Sequence, residues 1–181
     1  MIKGMGERML RAAKLDGSLY DEIRADRHAP LQAAMVVILS SAAAGIGVGV
    51  HGGMSDFYLG TMQAMMQWYI SAFFTYVVGT RLLQQPQTKM DCGAMVRMIS
   101  FASAPGVVRV LGVIPGLGGF VSGLASVWML GATVVAVRKT LDYTDNYEGA
   151  KRAVGACVIG WVAQWLLMGI LLSLRAPAPG A

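Results

Sequence analysis

Polar and apolar positions in this chain fall into long blocks rather than short alternations. Leu31–Val50 carries no charge. About 20 residues of helix at 1.5 Å each cover the roughly 30 Å hydrocarbon core of a bilayer. Tyr58–Thr80 is a second uncharged run, ended by Arg81. Ala94–Ile114 is a third block, interrupted by Arg97, Arg109 and Pro105-Gly106. Phe120–Val137 is stopped by Arg138-Lys139, and Ala153–Leu174 precedes Arg175. The blocks predict an all-α fold, a polytopic transmembrane helical bundle of five spans. The third span is expected to kink at Pro105, because proline has no N–H to offer the carbonyl near Phe101.

Residues 1–30 read differently. Met5, Met9, Leu10 and Ala13 recur at helical spacing among Arg8, Arg11 and Lys14, the pattern of a short amphipathic helix lying on an anionic membrane face or in solvent. Asp16-Gly17 breaks it, and Ser18, three residues before Asp21, marks a second start over Ser18–Arg27. Pro30 is placed to open the next helix. The stretch has no continuous apolar region of the signal-peptide kind, so the first span is expected to be an uncleaved anchor. The expected organisation is therefore a basic cytoplasmic tail, 1–30, and a five-span membrane domain, 31–175.

Charge orients these spans. Lys3, Arg8, Arg11, Lys14, Arg24 and Arg27 lie in the tail, Arg81 and Lys89 after span two, and Arg138, Lys139, Lys151 and Arg152 after span four. Only Arg175 falls on the other side, and Arg97 and Arg109 belong to span three. Cytoplasmic loops are the basic ones, so the N-terminus is expected inside and the C-terminus outside. Ala94–Ile114 is alternatively a re-entrant or interfacial piece, but if it did not cross, the Arg138–Arg152 loop would face outward and the bias would weaken. The expected location is the inner (cytoplasmic) membrane.

Composition agrees: 55% of residues are apolar and 14% charged, against roughly 25% charged in soluble domains. The net charge of +5 resides in short connecting segments rather than on one basic face with interleaved aromatics, which excludes nucleic acid as a partner. Cys92, at a helix edge, and Cys157, inside an apolar run, do not suit a disulfide and read as small buried hydrophobes.

Small residues mark contact faces. Ser41, Gly45 and Gly49 are spaced by four, as are Gly119 and Gly123, and both sets predict close helix packing. Gln63 and Gln67 are the polar exceptions of span two, whose middle and cytoplasmic half are crowded with aromatics. Gly47-Val48-Gly49-Val50-His51-Gly52 spells GxGxxG but ends a membrane span instead of joining a strand to a helix, so it is not a dinucleotide site. His51 and Asp56 share the predicted outer loop 51–57, and His28 is on the opposite side. Neither a metal site nor a nucleophile–base arrangement can be built from them, and no carboxylate pair lies within a span. No catalytic, cofactor-binding or metal-binding residue is expected. Arg97 and Arg109 are the costly side chains, and an ionisable residue within a span is by default a functional candidate. Snorkelling or structural pairing is the plainer reading. Arg97 is expected near the inner face beside Asp91, and Arg109 near the outer face, where Asp56 is the available acid.

The order LYDEIRAD, RMISFASAPGVVRVLGVIPGLGG, SVWMLGATVVAVRKTLDY and RAVGACVIGW resembles the Yip1 family in its short prokaryotic form. The resemblance covers roughly Ser18 to Leu174. It rests on helix order, Pro105, the Ile114–Gly119 turn, Trp128 and the basic pair that follows. It implies five spans and a cytoplasmic N-terminus. Eukaryotic relatives act in vesicle traffic, associating with prenylated Rab-type GTPases and with one another. This chain lacks their long cytoplasmic N-terminal region, which argues against a GTPase partner, and the resemblance supplies no catalytic residues. Two expectations follow. One is a non-enzymatic, membrane-organising or adaptor protein working through contacts with lipids, a second copy or another membrane protein. The alternative is a small transporter, channel or lipid-handling protein using Arg97, Arg109 and its Gly-broken helices.

Overall fold

A computed structural model describes residues 4–26, 28–82, 92–140 and 147–175, and every regular element among them is helical. The long helices are α3 (Ala29–Gly52), α4 (Met54–Val77), α6 (Gly118–Thr140) and α7 (Tyr147–Arg175). Two short helices precede them, α1 (Met5–Ala13) and α2 (Ser18–Ala25), and α5 (Cys92–Ala102) stands between α4 and α6. Among the described residues, three segments are long and apolar enough to cross a membrane: Ala29–Gly47, Gly93–Val113 and Gly118–Thr140. α4 has the length, but glutamines and hydroxyl residues dilute its hydropathy.

The expected third span is two kinds of helix in series. α5 ends at Ala102, and Ala104–Val113 continues as a 3₁₀ helix with Pro105 in its first turn. Eleven α residues and ten 3₁₀ residues rise about 16 and 20 Å at 1.5 and 2.0 Å each, enough together for a roughly 30 Å core. Side chains three apart eclipse in a 3₁₀ helix, so Gly106, Arg109 and Gly112 share one row. That row permits close approach. A Cβ on Gly106 would meet Ser40 of α3 and Met129 of α6, and the Arg109 carbonyl lies 2.9 Å from the Cβ position of Gly47.

The expected outer loop 51–57 contracts to one residue. α3 runs through Gly52, α4 starts at Met54, and Gly53 joins them at φ 84°, a conformation that favours glycine. The resulting hairpin packs closely. A Cβ on Gly45 would meet Thr61 and, at 2.6 Å, the carbonyl of Phe57, and one on Gly49 would meet the Phe57 Cβ at 2.8 Å. Ser41 is buried on the same side. The first small-residue stripe therefore faces α4 across this hairpin.

At Gly119 and Gly123 an added Cβ would touch nothing of this chain within 4 Å. They lie on the outward face of α6. Its inward face is Val121, Ala125, Ala132, Ala136 and Thr140, all buried. Within this chain, alanines rather than the GxxxG pair form the α6 seam.

The N-terminal segment is part of the bundle. Leu19, Tyr20 and Ile23 of α2 are fully buried in one cluster with Ala33 and Val36 of α3, Met98 and Phe101 of α5, and Ala132 and Ala136 of α6; Met5 and Met9 of α1 pack on it. The Trp128 indole donates to the Ala13 carbonyl at 2.8 Å, so Trp128 fastens α1 to α6. On the outer side of this hairpin, Glu22 accepts from both Arg8 and Arg11, Arg8 also pairs with Asp26, and Arg11 with Asp16. The hydrogen bond from Ser18 and the Arg11 guanidinium hold the Asp16 carboxyl down at about 2. A second cluster joins α4, α5, α6 and α7 through Ala72, Met95, Ile99, Val137, Ala153 and Cys157.

Candidate functional site: a polar chamber inside the bundle

α4 is polar on its inner face and apolar outside. Gln67, Ser71 and Thr75, spaced by four, line a cavity of about 100 Å³. Met54, Tyr58, Met62, Met66, Tyr69 and Phe73 follow the opposite face and are exposed. Small residues bring the other walls close. Gly160 of α7 places a would-be Cβ 3.1 Å from the Thr75 hydroxyl, and one face of α7 then supplies Cys157, Trp161 and Gln164. The 3₁₀ helix supplies Arg109, the residue before it Ser103, and α6 Ser126 and Thr133. A side pocket of about 20 Å³ runs to Ser40 and Ser41 of α3, with Trp68 and Arg109 common to both.

Among the described residues, Arg109 is the one charged member of this lining, which shows no carboxylate and no imidazole. Its Nη2 donates to Ser126 Oγ at 3.0 Å. The expected partnership with Asp56 is not formed: Asp56 sits in the first turn of α4 against Gly52, whereas the 3₁₀ row aims Arg109 across to α6. Three buried polar atoms of the lining have no hydrogen-bond partner: Arg109 Nε, Trp68 Nε1 and Gln164 Oε1. Such atoms forfeit the hydrogen bonds they make in water, about 1–3 kcal/mol each and more for a charged group. A site that keeps three of them around one cavity is suited to a polar guest.

The other singled-out residues are distributed elsewhere. Arg97 lines a separate groove of about 400 Å³ between α3, α4 and α5, with Pro30, Ala34, Ile38, Val96 and, again, Trp68. Asp91, its expected neighbour, lies outside the described residues. Pro105 is buried and shapes the chamber by starting the 3₁₀ helix; Trp128 serves the α1 contact. Reading the sequence missed Ser71, Thr75 and Gln164. The signal for the first two was present, since with Gln67 they make a polar stripe at i, i+4 and i+8, the spacing of one helix face. Comparison with protein-family models, curated proteins and solved structures finds no match to this chain.

Proposed function

We propose that this chain is a multi-pass protein of the inner membrane, of Yip1 type, with five spans, the N-terminus inside and the C-terminus outside. We propose further that it is not an enzyme but a binding or transport protein that takes a small anionic solute into the Arg109 chamber. The observation that carries this reading is a lone guanidinium in a bundle cavity, with an unpartnered Nε and an unpartnered indole N–H beside it. A partly buried charge without a counter-charge is disfavoured, and an anion supplies what the described lining does not. The test is thermal unfolding of purified protein in nanodiscs against a series of small anions, with flux measured in proteoliposomes. Stabilisation that is saturable and lost in Arg109→Gln supports the reading. An Arg109→Gln protein that responds to every anion like the parent overturns it.

One observation favours a second reading, the adaptor role through contacts with lipid, a second copy or another membrane protein. Exposed methionines and aromatics run the length of α4, and the free Gly119–Gly123 face offers close approach to another helix. Gly123→Leu separates the two. Loss of an oligomer with the anion response intact assigns that face to association.

A further inference from the structure

The hydrogen-bonding capacity of the chamber specifies its ligand more narrowly than charge does. Resting on the anion-binding reading above, we infer that the chamber selects a compact monoanion that also carries its own O–H or N–H donor, such as a small hydroxy acid or a protonated oxyanion.

The inference comes from counting donors and acceptors around the cavity. The donors are Arg109 Nε and Trp68 Nε1, both buried and both unpartnered. They suit a carboxylate or another oxyanion, and charge-assisted bonds from a guanidinium are the strong kind. Three of the lining hydroxyls have already given their proton to the backbone. Ser103 Oγ donates to the Ser100 carbonyl at 2.6 Å, Ser126 Oγ to Ser122 at 2.8 Å and Thr133 Oγ1 to Met129 at 2.7 Å. Each faces the chamber as an acceptor, and Ser126 is already taken by Arg109. Gln164, only 2% exposed, adds an unpartnered carbonyl oxygen. The amide offers both an acceptor and donors whichever way it is turned.

A simple anion such as chloride, nitrate or acetate satisfies the donor side and leaves the buried Gln164 Oε1 without a donor, with Ser103 Oγ and Thr133 Oγ1 offering acceptor capacity beside it. A monoanion that retains a proton satisfies both sides at once. A site that hydrogen-bonds a ligand O–H or N–H discriminates strongly against an analogue lacking it, because its own polar groups are then left unpaired. The roughly 100 Å³ cavity admits a solute of a few heavy atoms and excludes a phospholipid headgroup with its chains.

The experiment uses two matched pairs on the full chain in nanodiscs, with thermal shift and isothermal titration calorimetry as readouts. Glycolate is paired with acetate, and bicarbonate with nitrate, which has the same trigonal shape without the proton. The donor-bearing member of at least one pair is expected to bind about tenfold or more tightly, a difference of about 1.4 kcal/mol; the pair that discriminates tells an organic hydroxy acid from an inorganic oxyanion. Gln164→Leu should bring that ratio toward one, and Thr133→Val, nearly isosteric, provides the same readout if the first variant does not fold. Equal affinity within both pairs overturns the inference and leaves the anion-binding reading standing. No saturable binding of any of the four overturns both. A ratio unchanged in Gln164→Leu and in Thr133→Val overturns the assignment of these acceptors.

Discussion

Replacing Gly45 by alanine adds one methyl group where the α3–α4 hairpin is tightest. That methyl would lie 2.6 Å from the Phe57 carbonyl oxygen and also against the Thr61 hydroxyl. Ordinary non-bonded contacts begin near 3.5 Å, so the helices must separate locally by about 1 Å. Thr61 can turn, but Phe57 O belongs to the α4 backbone. A radial gap of 0.5–1 Å forfeits about a quarter to a half of the dispersion energy of the contacts it opens, and the neighbouring contact of Gly49 with Phe57 opens with it. Alanine also favours helix over glycine by up to about 1 kcal/mol, which opposes the loss. Overpacking penalties of about 1–3 kcal/mol exceed that gain over most of their range, so Gly45→Ala is expected to be net destabilising by roughly 1–2 kcal/mol. Gly123→Ala is the control: nothing lies within 4 Å of its Cβ position, so it is expected to be neutral or slightly stabilising. The assay is thermal unfolding of both variants in one detergent, followed by retention of the monodisperse peak on size exclusion. The opposite signs matter more than either magnitude. A Gly45→Ala protein that melts with or above Gly123→Ala would refute the hairpin contact.

Three further outcomes are expected. Leu15 closes α1 at φ 61°, with Asp16 N–H bonded to the Arg11 carbonyl and Leu15 N–H to that of Ala12, the Schellman arrangement that favours glycine; Leu15→Gly should raise the melting temperature by the equivalent of about 1 kcal/mol, and a fall would contradict this turn. The carboxyls of Asp16, Glu22 and Asp26 are all depressed, Asp16 to about 2, by Ser18 then Arg11 for Asp16, Arg11 then Arg8 for Glu22, and the His28 N–H then Arg8 for Asp26. Groups depressed on folding contribute above their unfolded values of about 3.9–4.3 and lose that contribution as pH falls through the folded ones. Hydrogen-exchange protection of α1 and α2, normalised for intrinsic rate, should therefore hold from pH 8 to 5 and decline between about pH 4 and 2; a decline near neutrality would implicate other groups. For topology, a cysteine at Ser55 should label with an impermeant reagent from outside and a reporter fused after Tyr147 should read cytoplasmic; the reverse pattern would sink the proposed orientation.

The long helices were legible because each is a block free of interior charge. α3, α4, α6 and α7 extend the predicted runs mainly at their ends, where polar residues still continue the helix. The 3₁₀ segment was not legible to a search at 3.6-residue periodicity. Its own signal, Gly106, Arg109 and Gly112 three apart, has meaning only once Pro105 has broken the α-helix. The burial of the N-terminal segment was half visible: its helix starts were read, but its many charges suggested a free tail. Leu19, Tyr20 and Ile23 are enough to bury one face of an eight-residue helix, and the charges pair among themselves on the other. Arg109 was placed by compartment rather than by row, hence the expected partner Asp56. Sequence supplied the choice of residue, and the 3₁₀ geometry its direction.

In the five-span arrangement proposed above, α4 would join the chamber to the bilayer. In water, a helix exposing Met62, Met66, Tyr69 and Phe73 while turning Gln67, Ser71 and Thr75 inward is unfavourable on both faces. Fully burying a large apolar side chain gains about 1.5–3 kcal/mol, and α4 forgoes that gain along its outer stripe. Inside a bilayer both terms change sign. Hydrocarbon covers the outer stripe at no such loss, and polar groups that lipid cannot hydrogen-bond must turn inward. Gln67, Ser71 and Thr75, which build the chamber, are among the residues that lower the hydropathy of α4. A polar chamber and an apolar exterior arise from the same alternation of faces, with Arg109, fixed by a row of three that only a broken helix provides, as the single charge of the described lining.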